Sequence, residues 1–249
     1  MKQVLVVLAL VISCSQGFNL GLDQFIVGGE DAQPGQFPWI GAIEYVDYAQ
    51  VCAGSILSDR WFVTAGHCVY NLNPNVITFR VGSRYRETGG QSLRVLRCIL
   101  HPEFHQNVVY NFDVAVCEVE GLMAGPGIRY IPLTREEPTT AARVFVSGWG
   151  VQGNGDPADI LQFVNIPILN RDQCNATYNG LVTDTMICAG EAGRDICVLD
   201  NGGPLTDMRN HLVGIVSWGM GCGVPIYPGV YTTIANPAIR DFILENAVN

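Results

Sequence analysis

The sequence predicts an all-β protein with one helix at its C-terminus, built as two β-barrels or as a sandwich. Two observations indicate this class. Glycine is abundant, at 28 of 249 residues, and charged residues make up only 15% of the chain, which is more typical of strands joined by turns than of a helical bundle. Short apolar runs also alternate with turn-forming Gly, Pro, Asn and Asp, as in barrels and sandwiches.

The runs that predict strands are short, rich in β-branched and aromatic residues, and bounded by turn residues. They are 39–45, 61–64, 76–81, 93–100, 114–119, 144–147, 163–169 and 211–218. Only the C-terminus predicts a helix. Asn236 can cap this helix, Pro237 suits its first position, and the apolar residues Ile239, Phe242 and Ile243 fall on one face.

The first 17 residues predict a secretory signal peptide. Lys2 precedes an apolar run from Val4 to Ile12, and the small residues Ser15 and Gly17 suit a cut after Gly17. The apolar run is too short to span a bilayer, and no later run is long enough to do so. We therefore expect a secreted, extracellular protein.

Charge and cysteine content narrow the function classes. The formal net charge is −9, and Lys2 is the only lysine, so nucleic acid and anionic membranes are not expected partners. Of nine cysteines, Cys14 falls in the signal peptide. The remaining eight form an even set, which predicts disulfides in an oxidising compartment. The sequence has no Cys-x-x-Cys pattern that would indicate a zinc site.

Six short motifs follow one another in order along the chain. They are Ile-Val-Gly-Gly at 26–29, Thr-Ala-Gly-His-Cys at 64–68, Asp-Val-Ala-Val at 113–116, Asp-Asn-Gly-Gly-Pro-Leu at 200–205, Ser-Trp-Gly at 217–219 and Pro-Gly-Val-Tyr-Thr at 228–232. In this order the motifs resemble the chymotrypsin/trypsin-like serine protease family, from Ile26 to the C-terminus. The resemblance implies two six-stranded antiparallel β-barrels in residues 26–249, divided near 130–140, with the active site between them. It also implies a short propeptide at 18–25.

The resemblance assigns a degenerate catalytic triad. His67 takes the place of the general base and Asp113 that of the acid that orients it, but Asn201 stands where the family has its nucleophilic serine. An amide has no ionisable hydroxyl, and loss of a triad nucleophile costs about 10⁶ in turnover, or about 8 kcal/mol. We therefore expect no catalysis.

Leu199 is a second departure in the same loop. It stands where the family has a glycine whose N–H, with that of the residue at position 201, forms the oxyanion hole. A leucine there either takes a backbone conformation that costs about 1–2 kcal/mol or turns the peptide over and leaves the hole unformed.

By the same resemblance the specificity pocket suits an Arg or Lys side chain. Asp195 forms its floor, and the other positions assigned to it are Ile196, Ser217, Trp218, Gly219 and Gly229. Ile196 departs from the small polar residue common in trypsins and narrows the slot. The pocket is either used for binding or inherited and unused.

Activation in the family pairs a new N-terminus with a buried aspartate, here Ile26 with Asp200. Phe25 precedes the cut in place of Arg or Lys, so a trypsin-like activator should not cleave it, whereas a chymotrypsin-like one could. Whether this bond is cut stays open.

The resemblance also implies three disulfides, Cys52–Cys68, Cys174–Cys188 and Cys197–Cys222. Cys98 and Cys117 are left over on strands that the family places side by side; a fourth bridge is preferred, with two buried free thiols as the alternative. Asn175-Ala-Thr177 is a glycosylation sequon. No metal or other cofactor is expected, because the loop after His67 has too few acidic residues for calcium.

The leading hypothesis is a secreted, monomeric, non-catalytic serine protease homologue that binds a protease, a substrate or an inhibitor. Its partner would be an extracellular protein or a peptide with an Arg or Lys side chain. One alternative is an active endopeptidase that cleaves after Arg or Lys. Another is a decoy that absorbs protease inhibitors.

Overall fold

The computed structural model describes residues 29–46, 50–152, 155–192, 199–221 and 226–247. The predicted signal peptide and propeptide lie outside these residues. So do five residues of the resemblance, namely Ile26, Asp195, Ile196 and the expected pair Cys197 and Cys222.

The described residues are mostly β-structure with two α-helices. The strands are β1 (Glu30–Asp31), β2 (Ile40–Tyr45), β3 (Gln50–Ile56), β4 (Trp61–Thr64), β5 (Ile77–Val81), β6 (Gln91–Leu100), β7 (Ala115–Val119), β8 (Arg143–Gly148), β9 (Gln162–Pro167), β10 (Met186–Ala189), β11 (Pro204–Asp207), β12 (Leu212–Trp218) and β13 (Gly229–Thr233). The α-helices are α1 (Arg171–Thr177) and α2 (Pro237–Asn246), and short 3₁₀ helices cover Gly66–Cys68 and Pro74–Val76.

Strands β2 to β7 form a closed antiparallel barrel in the order β2-β3-β4-β7-β6-β5. Alternate residues of β5, namely Ile77, Phe79 and Val81, are buried, as expected for strands that turn one face to the barrel core. Inside, the rings of Phe62 and Phe79 stack with their centroids 3.8 Å apart. Apolar side chains fill this interior, so the barrel is a rigid body on which the site is built.

The second sheet has seven strands in the order β1-β9-β8-β11-β12-β13-β10. In its ladder pairing it is a half-barrel, which differs from the second fully closed barrel that the resemblance implied. The reason is that β9 and β10 meet only at their ends: the Leu169 N–H donates to the Cys188 carbonyl at 2.9 Å, and the Gly190 N–H donates to the Pro167 carbonyl at 3.1 Å. The two-unit, all-β architecture is confirmed, with 120–142 connecting the units.

The C-terminal helix begins where its signals predict, at Pro237. The Asn236 side chain accepts a hydrogen bond from the Ala238 N–H at 3.0 Å, which satisfies a free donor of the first turn. Ile239, Phe242 and Ile243 are buried in the same core cluster as the first barrel. Neither helix in the described residues is long and apolar enough to cross a membrane.

Helix α1 has no counterpart among the sequence predictions. Asn170 caps it by accepting from the Gln173 N–H at 3.0 Å, but only Cys174 of its seven residues is buried. A helix that buries one side chain leaves no apolar periodicity in the sequence, so pattern reasoning could not find it.

Three disulfides join Cys52 to Cys68, Cys98 to Cys117 and Cys174 to Cys188. These are three of the four pairings expected above. Cys98 and Cys117 stand opposite each other in the register of β6 and β7. Cys52–Cys68 links β3 to the 3₁₀ helix that carries His67, and thus fixes part of the site.

Candidate functional site

His67 and Asp113 are brought together by two neighbouring strands of the first barrel. His67 follows β4 and Asp113 precedes β7, and these strands pair with Thr64 opposite Ala115. The His67 Nδ1 atom lies 2.7 Å from Asp113 Oδ2, and the His67 backbone N–H donates to Asp113 Oδ1 at 2.8 Å. The carboxylate therefore holds both the ring and the backbone of the histidine.

Asp113 is fully buried, and the second sheet supplies the rest of its environment. The Ser217 hydroxyl donates to Oδ2 at 2.5 Å, and the Thr232 hydroxyl donates to the Asp113 carbonyl at 2.8 Å. Hydrogen bonds to an ionised acceptor are the strong ones. An imidazole that donates from Nδ1 to a carboxylate keeps its Nε2 free to accept a proton, so this arrangement can orient a base.

The backbone of Asn201 is hydrogen-bonded to strand β3 of the first barrel. Its carbonyl accepts a hydrogen bond from the Ala53 N–H at 2.8 Å. The next residue, Gly202, has φ +79°, and a Cβ at this position would collide with Thr64 Oγ1 and the Ala53 carbonyl. The Asn201–Gly202 turn thus lies against the segment that leads into His67.

Leu199 adopts a backbone conformation that leucine rarely takes. Its φ is +79°, in the left-handed region that costs an L-residue about 1–2 kcal/mol. The Leu199 carbonyl accepts a hydrogen bond from Gln50 Nε2 at 3.2 Å. Of the two outcomes expected for this position, the backbone shows the strained conformation.

Asp200 is fully buried between these two residues. Its Oδ1 accepts from the Gly150 N–H at 2.8 Å, and a side chain at Gly148 or Gly150 would collide with the carboxylate. The expected partner of Asp200, Ile26, lies outside the described residues, so their pairing stays a prediction.

The described walls of the expected specificity pocket come from two paired strands. Ser217 and Trp218 end β12, Gly219 follows, and Gly229 begins β13. Among the described residues, a Cβ at Gly219 would meet only atoms of Gly229 and Gly221, at 3.9 Å or more. Trp218 and Gly229 lie on neighbouring strands, since Trp218 pairs with Val230.

Two aromatic rings that were not expected at the site, Tyr110 and Tyr178, contact its expected residues. The Tyr110 ring meets His67 edge-on at 5.4 Å and lies 6.5 Å from Trp218. Tyr178 in turn contacts Trp218 at 4.7 Å, and its hydroxyl donates to the Pro228 carbonyl at 2.6 Å. Tyr110 stands three residues before Asp113, which was a usable signal. Tyr178 gave no signal, because it directly follows helix α1, which the sequence did not predict.

The described residues bring together one group of potential metal ligands, Cys52, His67 and Cys68. The two sulfurs of this group are bonded to each other, so they have no thiolate to offer a cation.

The side chain of Asn175, in the glycosylation sequon, has a structural contact, because its Oδ1 accepts a hydrogen bond from the Val182 N–H at 3.0 Å. Glycosylation at Asn175 stays a prediction.

Comparison with known proteins agrees with this geometry. The family model described as "Trypsin" matches residues 26–243. Trypsin beta of Drosophila erecta is 34% identical over 254 residues, which cover 97% of this chain and 98% of the relative. Trypsin alpha of Drosophila melanogaster is 36% identical, with 97% and 95% covered. Hypodermin-B of Hypoderma lineatum is 37% identical, with 91% and 89% covered.

Proposed function

Because this chain belongs to the trypsin family, we propose that it is a secreted member that has lost catalysis and acts by binding. The observation that carries the proposal is Asn201. Its backbone is bonded to Ala53 beside the His67 segment, at the position that the resemblance gives to the nucleophile. The amide has no hydroxyl proton for His67 to remove, so the first step of acyl transfer has no attacking atom.

The backbone conformation of Leu199 also supports the loss of catalysis. A positive φ of +79° is easy for glycine and costly for leucine, and this residue lies in the loop that would bind the oxyanion. Selection for turnover would favour the residue that adopts this conformation without strain. Two departures within three residues thus point to a loop that is no longer used for transition-state stabilisation.

The N-terminal pattern of the sequence and the three disulfides support secretion, because disulfides persist in oxidising compartments. The partner would be a protease, a substrate or an inhibitor that offers an Arg or Lys side chain. That side chain would enter the expected specificity pocket, to which Gly219 and Gly229 are assigned. Asp195 would meet that cation at the base of the pocket.

A working endopeptidase is the second candidate. The bonds among His67, Asp113 and Ser217 favour it, as do relatives named trypsins. It needs another nucleophile, however, and the two hydroxyls considered for that role are engaged: Ser217 is buried and donates to Asp113, and Thr206 is buried and donates to the Phe145 carbonyl at 3.4 Å.

Labelling with a fluorophosphonate separates the two candidates. The protein is prepared with Ile26 as its first residue and compared with Asn201→Ser and with Asn201→Ser combined with Leu199→Gly. A fourth variant adds His67→Ala to the double change. We expect no labelling of the native chain, labelling of the double variant, and its loss when His67 is removed.

Specific labelling of the native chain, or hydrolysis of an arginine ester that depends on His67, would overturn the proposal in favour of the endopeptidase. Binding is measured in parallel with a substrate-like protein inhibitor whose binding loop carries an arginine. Tight binding that is lost when the loop arginine is replaced by alanine indicates a decoy for inhibitors. If the inhibitor does not bind, the cleft is closed to such loops, and the search for the partner moves to the outer surface.

A further inference from the structure

A large groove lies on the protein away from the site. It has a volume of about 1160 Å³ and is formed by the connecting segment 131–139, the start of β4, the hairpin between β11 and β12, and helix α2. Small-molecule pockets have volumes of about 300–1,000 Å³. The groove is therefore large enough for a polypeptide segment.

The course of strands β12 and β4 shows that this groove is separate from the site around His67 and Asp113. Strand β12 begins in the groove, directly after His211, and leads to Ser217 near its other end, which contacts Asp113. Six residue steps at about 3.3 Å each place the two ends about 20 Å apart. Strand β4 runs the same way, from Trp61 in the groove to Thr64 beside the site. A molecule in the groove would thus leave the cleft free.

The groove is more basic than the protein as a whole. The exposed side chains of Arg60, Arg135 and Arg209 line it, and none of them forms an ion pair within the described part of the chain. Arg240 lies deeper, with a buried Nε that has no hydrogen-bond partner and an acid, Asp241, no closer than 4.0 Å.

The remaining charges of the groove are mostly neutralised. Glu137 pairs with Arg171, Asp207 with His211, and Arg143 with Glu191. Asp59 and Glu136 are left as the carboxylates without an ion pair in the described residues. Cations therefore outnumber carboxylates here, although the chain carries a formal net charge of −9.

Apolar side chains are exposed along the same groove. Met208 is 64% exposed at the tip of the β11–β12 hairpin, and Leu244 is 39% exposed on α2. The hairpin tip is held in shape, because Asp207 Oδ1 accepts from the backbone N–H groups of Arg209 and His211, each at 2.8 Å. Met208 and Arg209 thus stand on a pre-formed edge, which lowers the ordering cost of binding.

We propose that this groove is a second docking surface and that its occupant is an acidic polypeptide segment with apolar side chains. Carboxylates of the segment would pair with Arg60, Arg135 and Arg209, and its apolar side chains would cover Met208 and Leu244. Cations next to exposed apolar side chains suit such a segment better than a sulfated polysaccharide, which has no apolar groups to cover Met208 and Leu244. The proposal does not depend on whether the cleft is catalytic.

The test selects binders from a display library of random 12-residue peptides on the purified protein. The selected pool is then counter-screened on a groove variant, Arg60→Glu with Arg135→Glu and Arg209→Glu. A control variant carries Arg94→Glu, Arg97→Glu and Arg129→Glu, which makes the same change in net charge outside the groove. Thermal unfolding of both variants checks that they fold.

We expect the enriched peptides to be acidic and to contain Leu, Ile or Phe. Synthetic copies should bind the groove variant about tenfold or more weakly than the control variant, and high salt should weaken their binding to the native protein. Met208→Ser with Leu244→Ser, which leaves the charges unchanged, should also weaken binding.

Three results would overturn the proposal. In the first, no peptide is enriched, or the enriched peptides are not acidic or bind the groove variant as well as the control. In the second, heparin binds through the three arginines whereas the acidic peptides do not, which assigns the groove to a polyanion. In the third, the protein forms a dimer that the groove variant dissociates, which assigns the groove to a second copy of the chain.

Discussion

The side-chain amide of Gln50 donates a hydrogen bond of 3.2 Å to the backbone carbonyl of Leu199, a residue that holds φ at +79°. Gln50 is 3% exposed and lies on β3 of the first barrel, whereas Leu199 belongs to the loop that precedes β11 of the second sheet. The bond ties the costly leucine conformation to the rigid barrel, and it suggests how the strain persists.

Leu199→Gly tests this strain. Glycine adopts a positive φ without steric cost, but it also raises the entropy of the unfolded chain by an amount worth about 0.5–1 kcal/mol. We expect the free energy of unfolding of this variant to be about 1–2 kcal/mol higher than that of Leu181→Gly. Leu181 is a matched control, since it is exposed and its φ is not positive. Equal values in urea unfolding would mean that Leu199 is not strained.

Ser217→Ala tests the environment of Asp113. The substitution removes one of the donors to a fully buried carboxylate, which keeps its bonds to His67, and a hydrogen bond to a charged group contributes about 1.5–3 kcal/mol. We expect chemical denaturation to show a loss of this size. The control is Thr206→Val, because its bond of 3.4 Å to the Phe145 carbonyl is long and should contribute little. If both variants lose the same stability, Ser217 has no special part in holding Asp113.

The environment of His101 predicts that the contact between the first barrel and α2 is less stable in acid. Its ring stacks on Phe112 at 4.5 Å and meets Phe242 of α2 edge-on at 4.8 Å, while its Nδ1 accepts from the Glu103 N–H at 3.1 Å. Burial lowers the pKa of His101 below its usual value, against the opposing effects of the Glu103 carboxylate and a hydrogen bond with the Ala238 backbone.

The direction of the pH effect on stability follows from the linkage between proton binding and folding. A histidine with a lowered pKa binds its proton more weakly in the folded state, so its contribution to stability is present above the unfolded pKa of about 6.5. This contribution is lost as the pH falls from there through the folded pKa. We expect the free energy of unfolding of the native protein to decline on acidification over this range. The free energy of unfolding of His101→Asn should decline less. Parallel pH profiles of the two proteins would contradict the assignment.

The Cys98–Cys117 bridge is tested by replacing both residues with alanine. The bridge closes a loop of 19 residues between β6 and β7, and a closed loop of this length stabilises a fold by about 3 kcal/mol. We expect the double variant to lose about that amount in urea unfolding. An unchanged free energy of unfolding, together with two reactive thiols in the denatured native protein, would favour the alternative of free cysteines.

Local patterns in the sequence predicted several elements within a residue or two of their observed bounds. The run 61–64 is β4 itself, and the capping residue Asn236, the proline after it and three apolar residues define α2. These signals are local, because turn residues and side-chain periodicity act within a few positions of one another. Strands β1, β3, β10, β11 and β13 and helix α1 were missed. Two of them show the converse reason, because distant partners fix them: β10 pairs with β13 at Val230, and α1 is joined to β10 by the Cys174–Cys188 bridge.

By itself the sequence determined the all-β class, the family resemblance and the identity of the residues at the site, including an amide at position 201 and a leucine at position 199. Only the tertiary structure decided how these residues are held. Ser217 was expected in the specificity pocket, and its hydroxyl contacts Asp113, 104 positions away. Gln50, 149 positions from Leu199, had no expected role. Contacts at such separations depend on strand pairing and barrel closure, which no local pattern of residues encodes.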